Sequence, residues 1–184
     1  MGGVAVIIGL IFARKQLNSW KTETRQKRQS DVAGDLLTSV LQVSRTLEAL
    51  RTPFDSAPPE GQESDKLFAL EVRYKRFSEH HDLFKDLQTK QIQAMAYIDD
   101  SELNADIEVL FSVRTKVVAA IKMLAEKSSW YDPNNPDNNR LLFDLEDRML
   151  GTYGADDKLG KIQLKAVERI QTKLIPIVRL ENKK

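Results

Sequence analysis

Apolar positions along the chain form one unbroken run followed by a series of stepped seams. The run is residues 1–13, MGGVAVIIGLIFA, which carries no charged or hydrogen-bonding side chain and stops at Arg14-Lys15. After a charged, amide-rich stretch over 21–31, Leu36, Val40, Val43, Leu47 and Leu50 step 4, 3, 4, 3, the spacing of one helical face. This helix should stop before Thr52-Pro53, because the residue preceding proline is driven out of the α region. A second helix over about 65–98 is expected from Leu67, Leu70, Tyr74, Phe77, His81, Phe84, Leu87, Met95 and Ile98. A third, about 101–128, carries Leu103, Ile107, Leu110, Val117, Ile121 and Leu124, with Arg114 in the same stripe. Asp99, three residues before Glu102, reads as its N-cap. Asn135-Pro136 opens a short helix with Leu142, Leu145 and Met149 that ends at Gly151. The last helix carries Leu159, Ile162, Ala166, Ile170 and Leu174 and is kinked or ended by Pro176.

Five of the six prolines lie in two polar stretches, 51–65 and 128–139, and the 71 residues between Gly61 and Pro133 hold neither proline nor glycine. These stretches are the main loops. No strand-like alternation and no internal repeat appears. The expected fold is all-α: a long-helix antiparallel up-down bundle of about four helices, the last one broken. Three parts are expected: a membrane anchor with a basic flank over 1–20, a charged helical stalk over 21–31, and a cytoplasmic bundle over 32–184.

The anchor reading depends on what flanks the apolar run. Twelve or thirteen residues fall short of the ~20 needed for a full span. Counting to Trp20, with Arg14 and Lys15 snorkelling, extends the helix to roughly 28 Å. A cleavable signal peptide is rejected because the positive charge lies only on the far side of the run. Myristoylation is rejected because Val6 stands where Ser or Thr is required. Another explanation for the short run is that the natural start lies upstream. Ala5, Gly9 and Ala13, four apart, form a small-residue face along which two such helices could pack.

Charge sharpens this division. The formal net charge is +1, from 28 Lys+Arg and 27 Asp+Glu. Residues 14–28 contain Arg14, Lys15, Lys21, Arg25, Lys27 and Arg28 against Glu23 alone, a net of 6 − 1 = +5. The remainder is therefore at 1 − 5 = −4. The positive-inside rule then places everything after Arg14 in the cytoplasm of a single-pass inner-membrane protein. Anionic lipid is the expected partner of the basic flank. Nucleic acid is not expected, since no recognition helix or aromatic platform accompanies the charge.

Little in the chain points to catalysis. Cys is absent, so thiol chemistry and cysteine-ligated metals are excluded. His80 and His81 are the only histidines, and both lie in one helix, which excludes a carboxylate-bridged di-iron centre. No Gly-x-Ser-x-Gly, phosphate loop or dinucleotide fingerprint occurs. Asp99-Asp100, Asp156-Asp157 and Glu146-Asp147 fall at helix ends or on exposed faces, where capping accounts for the first two. No catalytic, cofactor-binding or metal residue is assigned, and no small-molecule substrate is inferred. His81 and Arg114 stand out because each interrupts an apolar seam. They are expected to form a buried polar pair that fixes register, with a pH-responsive role for His81 as the alternative.

The segments IFARKQLNSWKTE, LEALRTPF, RYKRFSEHHDLFKDL and LIPIV, with the apolar N-terminus, resemble a group of small bacterial proteins of hypothetical or mobile-element type. The resemblance spans most of the chain. It implies one N-terminal membrane helix, a helical cytoplasmic part and a bacterial inner-membrane location. Members usually carry more apolar sequence before the Phe-Ala-Arg segment, in line with an upstream start. No functional residue carries over. The expected function is a non-enzymatic, membrane-tethered helical interaction or scaffold protein that binds a protein partner or itself. The alternative is a membrane-acting accessory or phage-defence effector that oligomerises through its anchor helix.

Overall fold

The computed structural model describes residues 2–52, 66–127, 135–151 and 157–180, the side chains of residues 2–12 and Lys66 excepted. All regular structure among the described residues is helical: α1 (Gly2–Leu50), α2 (Lys66–Glu79), α3 (His81–Tyr97), α4 (Ser101–Lys127), α5 (Pro136–Met149) and α6 (Lys158–Val178). The all-α expectation holds. His80 alone separates α2 from α3, so the two form one interrupted rod and the described residues comprise five rods. Most of the two Pro-rich loops, together with Asp156, lies outside the described residues.

The seams explain which helices touch. Leu36, Val40, Val43, Leu47 and Leu50 of α1 are all buried, against α3 on one side and α6 on the other. The α4 seam is likewise buried from Leu103 to Leu124, and α4 packs on α2, α5 and α6. Side-chain bonds give the directions. Ser39 Oγ donates to Asp86, Gln29 to the Tyr97 carbonyl and Ser30 to the Val178 carbonyl, while Arg51 reaches Asp157. As α1 ascends, α3 and α6 therefore both descend.

The C-terminal end of α1 is held by an ion pair between buried Arg51 and half-buried Asp157. Arg51 is 2 % exposed and grips Asp157 with two bonds, Nη2 to Oδ1 at 2.7 Å and Nη1 to Oδ2 at 3.1 Å. The same carboxylate caps α6 by accepting from the Gly160 N–H at 2.8 Å. The Arg51 carbonyl accepts from Gly151 N–H at 2.7 Å, tying the segment after α5 to the end of α1. Gly160 must be glycine because an added Cβ would overlap the Asp157 carboxylate. Arg73, also buried, donates to the Leu50 and Thr52 carbonyls that α1 leaves open at its C-terminus.

Several expectations need correction. No helix among the described residues is long and apolar enough to cross a membrane. The run from Gly2 to Ala13 rises only ~18 Å, against a hydrocarbon core of ~30 Å. Any longer window takes in Arg14, Lys15 and Gln16, which snorkelling does not offset. The anchor over 1–20 and the single-pass inner-membrane location are therefore withdrawn. The helix expected to continue from the N-terminal run does so, since α1 passes unbroken from Gly2 into the body. The second helix breaks at His80. The cap of α4 is Asp100, whose Oδ1 accepts from Leu103 N–H at 2.8 Å, not Asp99. Pro176 lies inside α6, which runs on to Val178. By contrast, Asn135 caps α5 through the Asn138 N–H as its spacing implied.

Two substitutions probe the ion pair. Arg51→Ala leaves the half-buried Asp157 without its partner and should lower unfolding stability by about 2–4 kcal/mol, read from urea denaturation. Gly→Ala inside a helix ordinarily stabilises by roughly 0.5–1 kcal/mol. Gly160→Ala should instead destabilise, by about 1–3 kcal/mol, because it displaces the capping carboxylate. A stabilised G160A protein would show that the cap geometry does not matter.

Candidate functional site

Three features stand out from the body. The first is the N-terminal part of α1. Every side chain from Ala13 to Arg28 is exposed, including Leu17 at 48 % and Trp20 at 63 %. Packing begins only at Gln29 and Ser30, whose side chains satisfy the last open carbonyls of α3 and α6. Arg28 marks the boundary, with its guanidinium 5.8 Å from the centre of the Tyr97 ring. A helix of 49 residues, about 73 Å long, thus places less than half its length in the body. The rest is an arm.

All six basic residues singled out in the sequence lie on this arm. Arg14, Lys21, Arg25 and Arg28 step 7, 4 and 3 and share one helical face, a cationic stripe about 21 Å long. Lys15 and Lys27 point elsewhere. Ala13 is exposed on the arm, while the side chains of Ala5 and Gly9 lie outside the described ones. Three local side-chain bonds lie along the exposed helix, one of them from Thr22 Oγ1 to the Asn18 carbonyl at 3.0 Å. Ser19 Oγ donates to Glu23 at 3.0 Å, and Thr24 Oγ1 donates to the Trp20 carbonyl at 2.8 Å.

The second feature sits at the arm's base, a cleft of about 620 Å³ bordered by Gln26, Gln29, Tyr97, Asp100, Lys173 and Pro176 among others. Lys173 Nζ bridges Asp100 at 2.8 Å and Glu102 at 2.9 Å, pinning the start of α4 to α6. The Lys173 ammonium and the Leu103 N–H hold the Asp100 carboxyl below its ordinary value of 3.8, and the two acids in turn raise Lys173. On the other side of the body, Asp86 is lowered by Lys90 and by the buried Ser39 hydroxyl.

The third feature collects the two residues that interrupt the seams. His81 and Arg114 line one cleft of about 490 Å³ between α3 and α4, together with Phe84, Lys85, Gln88, Glu108 and Phe111. They do not form a buried pair. His81 is exposed because the break at His80 ends one helix and restarts another. The buried face passes directly from Phe77 on α2 to Phe84 and Leu87 on α3. Arg114 is half-buried, with its guanidinium carbon 4.6 Å from the centre of the Phe84 ring. Cation and ring stack there. No hydrogen bond or ion pair between His81 and Arg114 occurs among the described residues.

The buried polar groups Arg51, Arg73 and Gln163 escaped the sequence reading. Gln163 is fully enclosed, and its amide donates to the Ser44 carbonyl at 2.9 Å and hydroxyl at 3.0 Å. A signal was present for Gln163, which lies four residues beyond Leu159 and three before Ala166 on the inward face. Among the described residues, no group of three or more His, Asp or Glu could hold a metal ion.

The Asp100 shift fixes a pH dependence. A carboxyl lowered in the folded state adds stability that is present above pH 3.8 and is lost as pH falls through the lowered folded value. Asp100→Asn should therefore melt below wild type at neutral pH. The two should converge under acid conditions below the folded value, as followed by circular dichroism. An undiminished difference in acid would assign the effect to shape rather than charge.

No protein-family model, curated protein or solved structure matches the chain.

Proposed function

We propose that this chain is a non-enzymatic helical interaction protein whose arm is its binding element, the partner being a second copy of the chain. The body is read as an antiparallel up-down bundle built from α1, the α2/α3 rod, α4 and α6, with α5 crossing over between the last two. The opposed directions of α3 and α6 along α1 support that reading. So do the cross-contacts from Gln91 to Glu108 and from Lys173 to Asp100.

The observation that carries the function is the continuous exposure of α1 from Ala13 to Arg28, with Leu17 and Trp20 uncovered. An isolated helix gains most of its stability from packing an apolar face. This one has no such packing within its own chain. In sequence, Leu10, Ala13, Leu17 and Trp20 step 3, 4 and 3, the seam of a helix pair. The cationic stripe flanks that seam and stays in water when two arms pair, which keeps it from being buried uncompensated.

Sedimentation equilibrium of the full chain tests this reading. Leu17 and Trp20 are exposed, so Leu17→Glu and Trp20→Glu should leave melting unchanged. Wild type should self-associate with rising concentration, and either variant should weaken that association by about tenfold or more. A wild-type chain that stays monomeric, or variants that associate as wild type does, would overturn it.

A further inference from the structure

Among the described residues the buried or half-buried cations Arg51, Lys90 and Lys173 are paired, with Asp157, with Asp86, and with Asp100 and Glu102. Arg114 is half-buried and differs from them. Among the described residues its guanidinium has no hydrogen bond and no ion pair, and its Nε is buried with nothing to donate to. Its own helix offers no remedy, since the neighbours one turn away are Leu110, Phe111, Val117 and Val118. A buried donor left unsatisfied costs about 1–3 kcal/mol. The fold gains only a stacking contact with Phe84 in return.

The surroundings of Arg114 indicate what would satisfy it. Lys85, on the facing wall of the same cleft, has an ammonium with no acid partner among the described residues. Glu108 is the one acid lining the cleft, and its carboxylate is engaged by the Gln91 amide at 3.0 Å. His81 and Gln88 add polar edges at the rim. Half-buried Phe111, its ring centre 6.5 Å from that of buried Phe84, supplies an apolar floor. Arg114 also lines a second, smaller cleft of about 300 Å³ with Thr115, Val118 and Lys122, so the guanidinium is reachable from two sides. Two unpaired cations over an aromatic floor present complementary chemistry to a molecule that is anionic at one end and flat and apolar at the other. A volume of about 490 Å³ lies within the range of small-ligand sites.

We infer that the cleft between α3 and α4 binds a small aromatic oxyanion, a carboxylate or phosphate monoester on a ring. Arg114 receives the oxygens through paired N–H donors, Lys85 adds the second positive charge, and the ring rests on Phe111 beside the Arg114–Phe84 stack. The site lies on α3 and α4 and does not involve the arm, so it stands whether or not the chain self-associates.

The test is titration of the isotope-labelled full chain with phenyl phosphate, benzoate and inorganic phosphate, followed through backbone amide resonances. Saturable shifts at Phe84, Lys85 and Arg114 with phenyl phosphate or benzoate are expected, with inorganic phosphate weaker for lack of a ring. Arg114→Gln should weaken binding by about tenfold or more, and Lys85→Gln should weaken it to a lesser extent. A second measurement separates binding from folding. Arg114→Met should melt at or above the wild-type temperature, because an unpaired charge is removed from a half-buried site. No saturable shift with either aromatic anion would overturn the inference. So would undiminished binding by R114Q, or an R114M protein markedly less stable than wild type.

Discussion

The bidentate contact between Arg51 and Asp157 governs more of this structure than any other single interaction. It joins the last turn of α1 to the first turn of α6, and the same carboxylate closes the N-terminus of α6. A buried pair of this kind is demanding in both directions. Complete, it offsets the desolvation of two charges; with one member gone, the other is stranded. The surroundings reflect that demand, since Gly160 leaves room for the carboxylate and Gly151 donates its N–H to the Arg51 carbonyl. At the opposite end of the body Gln29 and Ser30 close α3 and α6. Between these two closures α1 is held in a single register, with its Leu and Val seam inward. From Ala13 to Lys27 the side chains are exposed and find no surface of the body to pack on.

The arm and the body therefore obey different rules along one continuous helix. Within the body an apolar residue is buried every three or four positions, and buried side chains such as Arg51, Arg73 and Gln163 make hydrogen bonds. On the arm, charge is sorted by face instead, with four cations aligned and Glu23 elsewhere. The overall charge of +1 conceals this, being the sum of +5 over residues 14–28 and −4 over the rest. The net-negative remainder attracts the cationic arm, but only weakly across salt solution. Helical continuity is what keeps the arm extended, since no proline or glycine interrupts α1 between Gly9 and Gly34.

Much of this was legible from spacing. The seams of α1 and α4 were read residue by residue and are buried as read, because long regular helices carry their periodicity openly. Asn135 before Pro136 announced its cap for a similar reason: the signal is local. Misreadings arose where the decision was not local. The 3–4 stepping through Phe77, His81 and Phe84 looks continuous, yet the rod breaks at His80. Leu67, Tyr74 and Met95 in the same stripe are exposed. Asp99 and Asp100 are indistinguishable as caps until the helix start is known. The apolar N-terminal run has the composition of a membrane segment without the length. Arg51 and Arg73 are unremarkable in sequence, as their burial depends on carbonyls and a carboxylate brought from elsewhere in the chain. The unpaired state of Arg114 was likewise invisible, although its place in an apolar seam was the clue that led to the cleft.

The division of α1 is the central claim, and amide hydrogen exchange measured on the full chain at low and high protein concentration tests it most directly. Residues 32–50 should be strongly protected at both concentrations, while protection over residues 13–28 should be weak when dilute and grow as the chain is concentrated. Exchange over 13–28 that stays fast at every concentration, or that matches residues 32–50 even when dilute, would contradict it.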